Sequence, residues 1–305
     1  MNKITFSAPG KVHLLGEHAV VYGKPALLAT VGLRVYVTIS QGQSIHPLQK
    51  TIHPIIKKYL RTKAIPPYQV QINSQIPIGA GLGSSAAISA AYIASLLTFL
   101  KAKWNLNLIN QLTFEAEKVF HGNPSGADPA TVIFGGLIWF RKESSDLKLI
   151  QQLPFSIPNK LAKNFVLINT GTPKETTKDM VTMVKNLYQK KPSIVDNFLE
   201  KQEQLTKELL EALQLKKEKK LKSVIKMGEN NLEKIGVVPK SVLPIIREIE
   251  SSGGAAKICG GGGKTGPTGI LLCYHYKPSI IQQIAKQNNL EYFKTALGVG
   301  GLKRE

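Results

Sequence analysis

Acidic residues are scarce at the start of this chain. Glu17 is the first, none follows until Glu115, and the first aspartate is Asp128. Lys and Arg number 40 against 20 Asp and Glu in 305 residues, for a formal charge of +20. On so basic a background an isolated acid raises a functional question, and Glu17, Glu117 and Asp128 all fall inside unusual motifs. Cysteine is scarcer still. Cys259 and Cys273 are the whole complement, which excludes a disulfide framework or a zinc-spaced cluster and fits a reducing cytosol. Long hydrophobic runs are also missing: the longest, near residues 86–100, is too short and too interrupted by serine to span a membrane. The opening "MNKITFSAPGK" alternates like a strand and lacks the apolar core of a signal peptide. The expectation is a soluble cytoplasmic protein with no membrane partner.

The excess of positive charge raises the question of nucleic acid. Much of the lysine lies between residues 185 and 234, interleaved with acids, and Glu203–Lys207 and Glu218–Lys222 have the i,i+4 spacing of helical ion pairs. Aromatic residues are nearly absent there, so no base-stacking platform is offered. A solvated helical face accounts for the pattern, with a general pull on anionic ligands. A basic nucleic-acid-binding protein remains the rival from another functional class.

The length predicts two domains. The proline-containing connection "QQLPFSIPNKLAK" (151–163) divides the chain into expected units 1–155 and 160–305. "ITFSAPGKVHLLGEHAVVYGKPALLATVGLRVYVTIS" and "YQVQINSQIP" read as strands, "LINQLTFEAEKVFHG" as a helix, and "ADPATVIFGGLIWFR" as a short turn entering a strand. "FVLINTG", several helices from about 173 to 251, the strand "GILLCYHY", the helix "PSIIQQIAKQN" and a last strand "EYFKTALGVG" follow. Strands and helices alternate irregularly, which predicts an α+β fold.

Glycine, by contrast, is placed with pattern. In "PIGAGLGSSAA" (77–87) three glycines alternate and run into two serines at the mouth of an apolar helix. The spacing is that of neither the dinucleotide fingerprint nor the common phosphate loop. Two readings fit: a glycine-rich turn capped by Ser84 or Ser85, or an anion cradle of glycine amides and a helix N-terminus. "GGGGKTG" (260–266) imitates the end of a Walker loop, but the glycine such a loop requires falls on Ile258, and a strand-like segment follows. A phosphate-facing turn and a close-packed bend both remain open there.

Taken together, "SAPGKVHLLGEHAVVYGKPAL" (7–27), "PIGAGLGSSAA" (77–87) and "EKVFHGNPSGADPATVIFGG" (117–136) resemble the signatures of the GHMP small-molecule kinases, most of all the branch that acts on mevalonate. The resemblance covers nearly the whole chain in motif order and spacing. It implies a ribosomal-protein-like N-terminal domain, a ferredoxin-like C-terminal domain and a site in the cleft between them. The implied reaction moves the γ-phosphoryl group of ATP, with Mg2+, to the 5-hydroxyl of mevalonate; a related kinase acting on a phosphorylated mevalonate or another hydroxy acid is the alternative. By the same resemblance Asp128 accepts the hydroxyl proton and Lys11 pairs with it. Gly79, Ala80, Gly81, Leu82, Gly83, Ser84, Ser85 and Ala86 wrap the ATP phosphates, Ser85 and Glu117 hold the metal, and Glu17 and His18 line the substrate pocket. His121 is expected to be a structural helix-end residue, and the oligomeric state is left open, a homodimer being one option. The third glycine loop departs from the family pattern at Lys264, which leaves its phosphate contacts open.

Overall fold

The computed structural model describes residues 3–122, 124–144 and 147–305; Asn123 of the third motif lies outside them. In chain order the elements are β1 (Ile4–Leu15), β2 (Ala26–Gln41), α1 (Gln49–Leu60), β3 (Tyr68–Ser74), α2 (Ser84–Phe99), α3 (Leu106–His121), α4 (Ala127–Phe134), β4 (Leu137–Lys142), β5 (Lys148–Gln152) and α5 (Asn159–Ala162). There follow β6 (Phe165–Asn169), α6 (Thr177–Lys190), α7 (Pro192–Gln214), α8 (Glu218–Lys234), α9 (Leu243–Ser251), β7 (Ala255–Ile258), β8 (Ile270–Tyr274), α10 (Pro278–Gln287), β9 (Glu291–Phe293) and β10 (Lys303–Arg304). The strands form two sheets, one ordered β10-β1-β2-β4-β5 with β3 also on β2, the other β7-β8-β6-β9. Helices pack on both, giving the expected α+β architecture.

Helix α2 shows why the first sheet holds together. It is apolar on every side, and buried residues run from Ala86 to Leu97 with only Ile88 partly exposed. A helix of that composition is stable only with its whole circumference covered. The main hydrophobic cluster takes in α2 residues such as Tyr92 together with Leu167, Leu209 and Leu272 from the second half, so one core runs beneath both sheets. No helix among the described residues is long and apolar enough to cross a membrane.

Three local expectations change. The segment after Gly126 is a helix, α4, and not a turn, because Ala127–Phe134 buries its apolar residues beside α2 and α3. The expected last strand is short: β9 ends at Phe293, and the chain then crosses back to the first sheet. There Leu297 bridges Val31, Gly300 bridges Gly135, and β10 pairs with β1. Of the two expected ion pairs, Lys207 meets Glu203 at 2.8 Å, whereas Lys222 donates to the carbonyl of Gly253 instead.

Candidate active site

The alternating glycines of 79–83 have a structural cause. Between them, Ala80 and Leu82 are buried, and their carbonyls are pinned from opposite sides. The amide of Ile270 donates to Ala80 O at 3.0 Å, and the amide of Lys11 donates to Leu82 O at 2.8 Å. To present both carbonyls outward, the residues between must take left-handed backbone, and Gly79, Gly81 and Gly83 sit at φ 74°, 83° and 69°. Gly83, and neither serine, occupies the N-cap position of α2, and no side chain caps the helix. The first amides of α2 therefore lack a side-chain acceptor, and they carry the positive end of the helix dipole. The loop is held by both sheets and leaves those amides free of any side-chain cap, an arrangement that suits an anion.

Beneath it runs Lys11. A Cβ at residue 83 would lie 2.9 Å from Lys11 Cγ, so the lysine stem passes directly under the bare backbone. Its ammonium reaches Asp128 Oδ1 at 3.0 Å; Lys11 is nearly buried, and the Asp128 side chain remains 32 % exposed. Asp128 stands in the first turn of α4. Burial alone would raise its pKa, but the Lys11 charge and the contacts of His13 and Lys11 outweigh that and hold the carboxyl well below its usual range. His13 joins the pair, with Nε2 3.9 Å from the same oxygen. Burial, followed by the Lys11 charge, lowers the His13 pKa and favours the neutral ring. His13 was not singled out in the sequence, although strand alternation puts residues 11 and 13 on one face.

On the other side of the cradle, Glu117 of α3 is 2 % exposed, and its Oε1 is a buried oxygen without a partner. Burial, with the Asp128 charge, pushes its pKa up to about 7, against the opposing bond from Ser85 and the Lys11 charge. His121 is more than a helix end: its Nε2 lies 3.2 Å from Ser85 Oγ and 3.6 Å from Glu117 Oε2. A hydroxyl beside an orphaned, desolvated carboxylate suits a hard cation, which takes oxygen donors and needs few from the protein. Mg2+ fits these two residues.

The remaining expected residues lie elsewhere. The Glu17 side chain is fully buried and ion-paired with Lys257 of β7. His18 Nε2 lies 3.0 Å from Gly261 O in the third glycine loop. That loop is a close-packed bend. A Cβ at Gly262 would overlap Val237 O at 2.1 Å, and the amide of Gly263 donates to the same carbonyl. Its next donors, the amides of Lys264 and Thr265 and the Thr265 hydroxyl, all go to the Glu175 carboxylate at 3.2, 3.2 and 2.9 Å. The Walker imitation thus holds a carboxylate of its own chain.

Residues 48–136 match the model of the GHMP kinase N-terminal domain. The mevalonate kinase of Archaeoglobus fulgidus is 33 % identical over 271 residues, covering 84 % of this chain and 88 % of that one. The chain belongs to the mevalonate kinase family of GHMP kinases. Similarity within this family extends to the mouse mevalonate kinase, 28 % identical over 97 % of this chain and 93 % of that protein. The fold matches the L. major mevalonate kinase solved in complex with R-mevalonate, with a TM-score of 0.78 at 21 % identity over 99 % of this chain and 97 % of the other. In family terms, the Lys11–Asp128 pair, the cradle and the Ser85–Glu117 pair all lie within the three signature segments.

Proposed function

We propose that this chain is an ATP-dependent kinase that phosphorylates the 5-hydroxyl of mevalonate. The observation that carries the reaction type is the Lys11–Asp128 pair, set 3.0 Å apart directly under an amide cradle. The choice of mevalonate follows the family. Phosphoryl transfer asks little covalent chemistry of a protein; positioning and charge stabilisation supply most of the acceleration. The amides of residues 79–86 cradle the triphosphate. Asp128, ionised and partly exposed, accepts a hydrogen bond from the substrate hydroxyl and so aims its oxygen at the γ-phosphorus. As the new O–P bond forms, the bond to the β–γ bridging oxygen breaks, ADP leaves, and the hydroxyl proton passes to Asp128. A base held so far below neutrality is weak, which suits a proton released late, as the attacking oxygen loses its electrons to phosphorus. Lys11 offsets negative charge on both the carboxylate and that oxygen. Mg2+, when bound, neutralises phosphate charge, and Ser85 Oγ with the Glu117 carboxylate would hold it.

The test is a panel of acceptors (mevalonate, phosphomevalonate, galactose and homoserine) with Mg-ATP, reading ADP release and locating the new phosphate by phosphorus NMR. Mevalonate is expected to give turnover with a 5-phosphate product. Turnover confined to another acceptor would overturn the substrate assignment, and none with any acceptor would overturn the kinase reading.

A further inference from the structure

The loop that leaves β1 reverses within three residues. The amide of Ala19 donates to Glu17 O at 2.6 Å, and His18 between them sits at φ 58°, ψ −45°. A γ-turn with positive φ at its centre is rare and strained. A residue with a bulky side chain stays in such a conformation only where its surroundings over-determine it. Here they do so from both flanks. On one, the His18 ring meets Gly261 O. On the other, the Glu17 carboxylate is ion-paired with the Lys257 ammonium, and both side chains are fully buried.

Lys257 is itself completely tied down. Besides Glu17 it donates to Ile258 O at 2.6 Å and to His13 O at 3.3 Å, which uses all of its N–H bonds. Burial opposes its charge, yet Glu17 and its other neighbours raise its pKa, so it stays protonated. One ammonium therefore grips β1 at His13, whose ring faces Asp128, the turn at Glu17, and the start of the third glycine loop. The phosphate cradle is held separately, by the amides of Lys11 and Ile270.

A buried ion pair is poor evidence of a contribution to stability, because replacing such a pair by neutral groups of similar volume is often neutral or stabilising. A positional role accounts better for this one. We propose that Glu17 and Lys257 are positioning residues: the buried pair holds the strained His18 turn against the third glycine loop, and thereby sets the acceptor-substrate side of the site. The proposal rests on the kinase reading above and on the burial of both side chains against each other.

The decisive variants are Glu17→Gln, Lys257→Met and the two combined, the double variant being free of any unpaired buried charge. Each is examined by thermal melting, by binding of a non-hydrolysable ATP analogue, and by kinetics with mevalonate and Mg-ATP beside the wild type. The double variant is expected to fold and to bind the ATP analogue within about twofold of wild type. Its kcat/KM for mevalonate is expected to fall by about ten- to a hundredfold, the cost of misplacement by an ångström or so. A merely structural role would lower the active fraction and leave both KM values alone. Proton NMR of the His18 ring supplies a readout independent of substrate: burial lowers its pKa from 6.5, and release of the turn is expected to return it toward that value. A folded double variant with wild-type kcat/KM and an unmoved His18 resonance overturns the proposal. So does a double variant that cannot fold, since the pair would then be holding the fold and not the turn. If the wild type itself fails on mevalonate, the kinase reading falls, and the His18 resonance alone decides the positioning claim.

Discussion

Lys11 Nζ stands 3.0 Å from Asp128 Oδ1, and its stem passes so close beneath Gly83 that a Cβ there would sit 2.9 Å from Lys11 Cγ. One glycine thus shapes the anion cradle above and leaves the passage for the charged pair below. The glycine loop and the proposed proton acceptor, Asp128, are built together, so changes to either should appear in the chemical step.

Asp128→Asn keeps the size and turn-forming ability of the side chain but removes its charge. Loss of an acceptor that acts mainly in the transition state should fall on kcat more than on KM, by about a hundredfold or more. Lys11→Met acts through the same anion, so the double variant should lose less than the sum of the two free-energy changes. Steady-state kinetics on variants with native circular dichroism make the check. A folded Asp128→Asn enzyme keeping more than about a third of wild-type kcat would remove Asp128 from the mechanism, given the loss expected of an acid–base residue.

Ser85→Ala and Glu117→Gln should weaken the use of Mg2+ while leaving the fold intact. Glu117 is the costlier loss, since its buried Oε1 has no protein partner to compensate. A magnesium titration at fixed ATP should show the half-saturating concentration raised in both variants, by about tenfold or more for Glu117→Gln, in line with loss of a carboxylate ligand. Unchanged titrations would place the metal elsewhere.

Lys264 lends its amide to Glu175, and its side chain is exposed. Lys264→Ala should leave kcat and the KM for ATP within about twofold, as is usual for a surface substitution that breaks no buried feature. Glu175→Ala removes the acceptor shared by three loop donors and should be the more harmful of the two. Parallel kinetics on the pair test the ordering; a tenfold loss of kcat in Lys264→Ala would give that lysine a direct part in the transition state.

Glu229 offers a pH test of the buried cluster. Its Oε2 accepts the Ile258 amide at 2.9 Å, and burial pushes its pKa from 4.5 to about 8. Between those values the native state binds a proton that the unfolded state has released. The contribution is therefore complete below pH 4.5 and is lost as pH rises through about 8. Glu229→Gln cannot titrate, so the stability advantage of wild type over this variant should shrink steadily from pH 5 to pH 8. Urea unfolding midpoints of both proteins across that range give the answer, and a constant difference would show that Glu229 is ionised throughout.

Much of this protein could be read from its sequence because its motifs are local. A left-handed backbone at alternate residues demands alternate glycines, and an apolar helix without a polar face demands burial; both demands are met within a dozen residues of "PIGAGLGSSAA". The scarcity of acids likewise singled out Glu17, Glu117 and Asp128, and the structure gives each of them a polar partner or a buried setting. What the sequence could not show is which group answers which. Lys257 reads as a lysine in a short apolar run, yet it is fully buried because Glu17, 240 residues earlier, meets it. Glu175 gives no local sign of filling the glycine loop, and Gly83 none of standing over Lys11. Local backbone preference is written in neighbouring residues; the partner of a buried charge is chosen by where two distant strands come to lie, and only the packed sheets decide that.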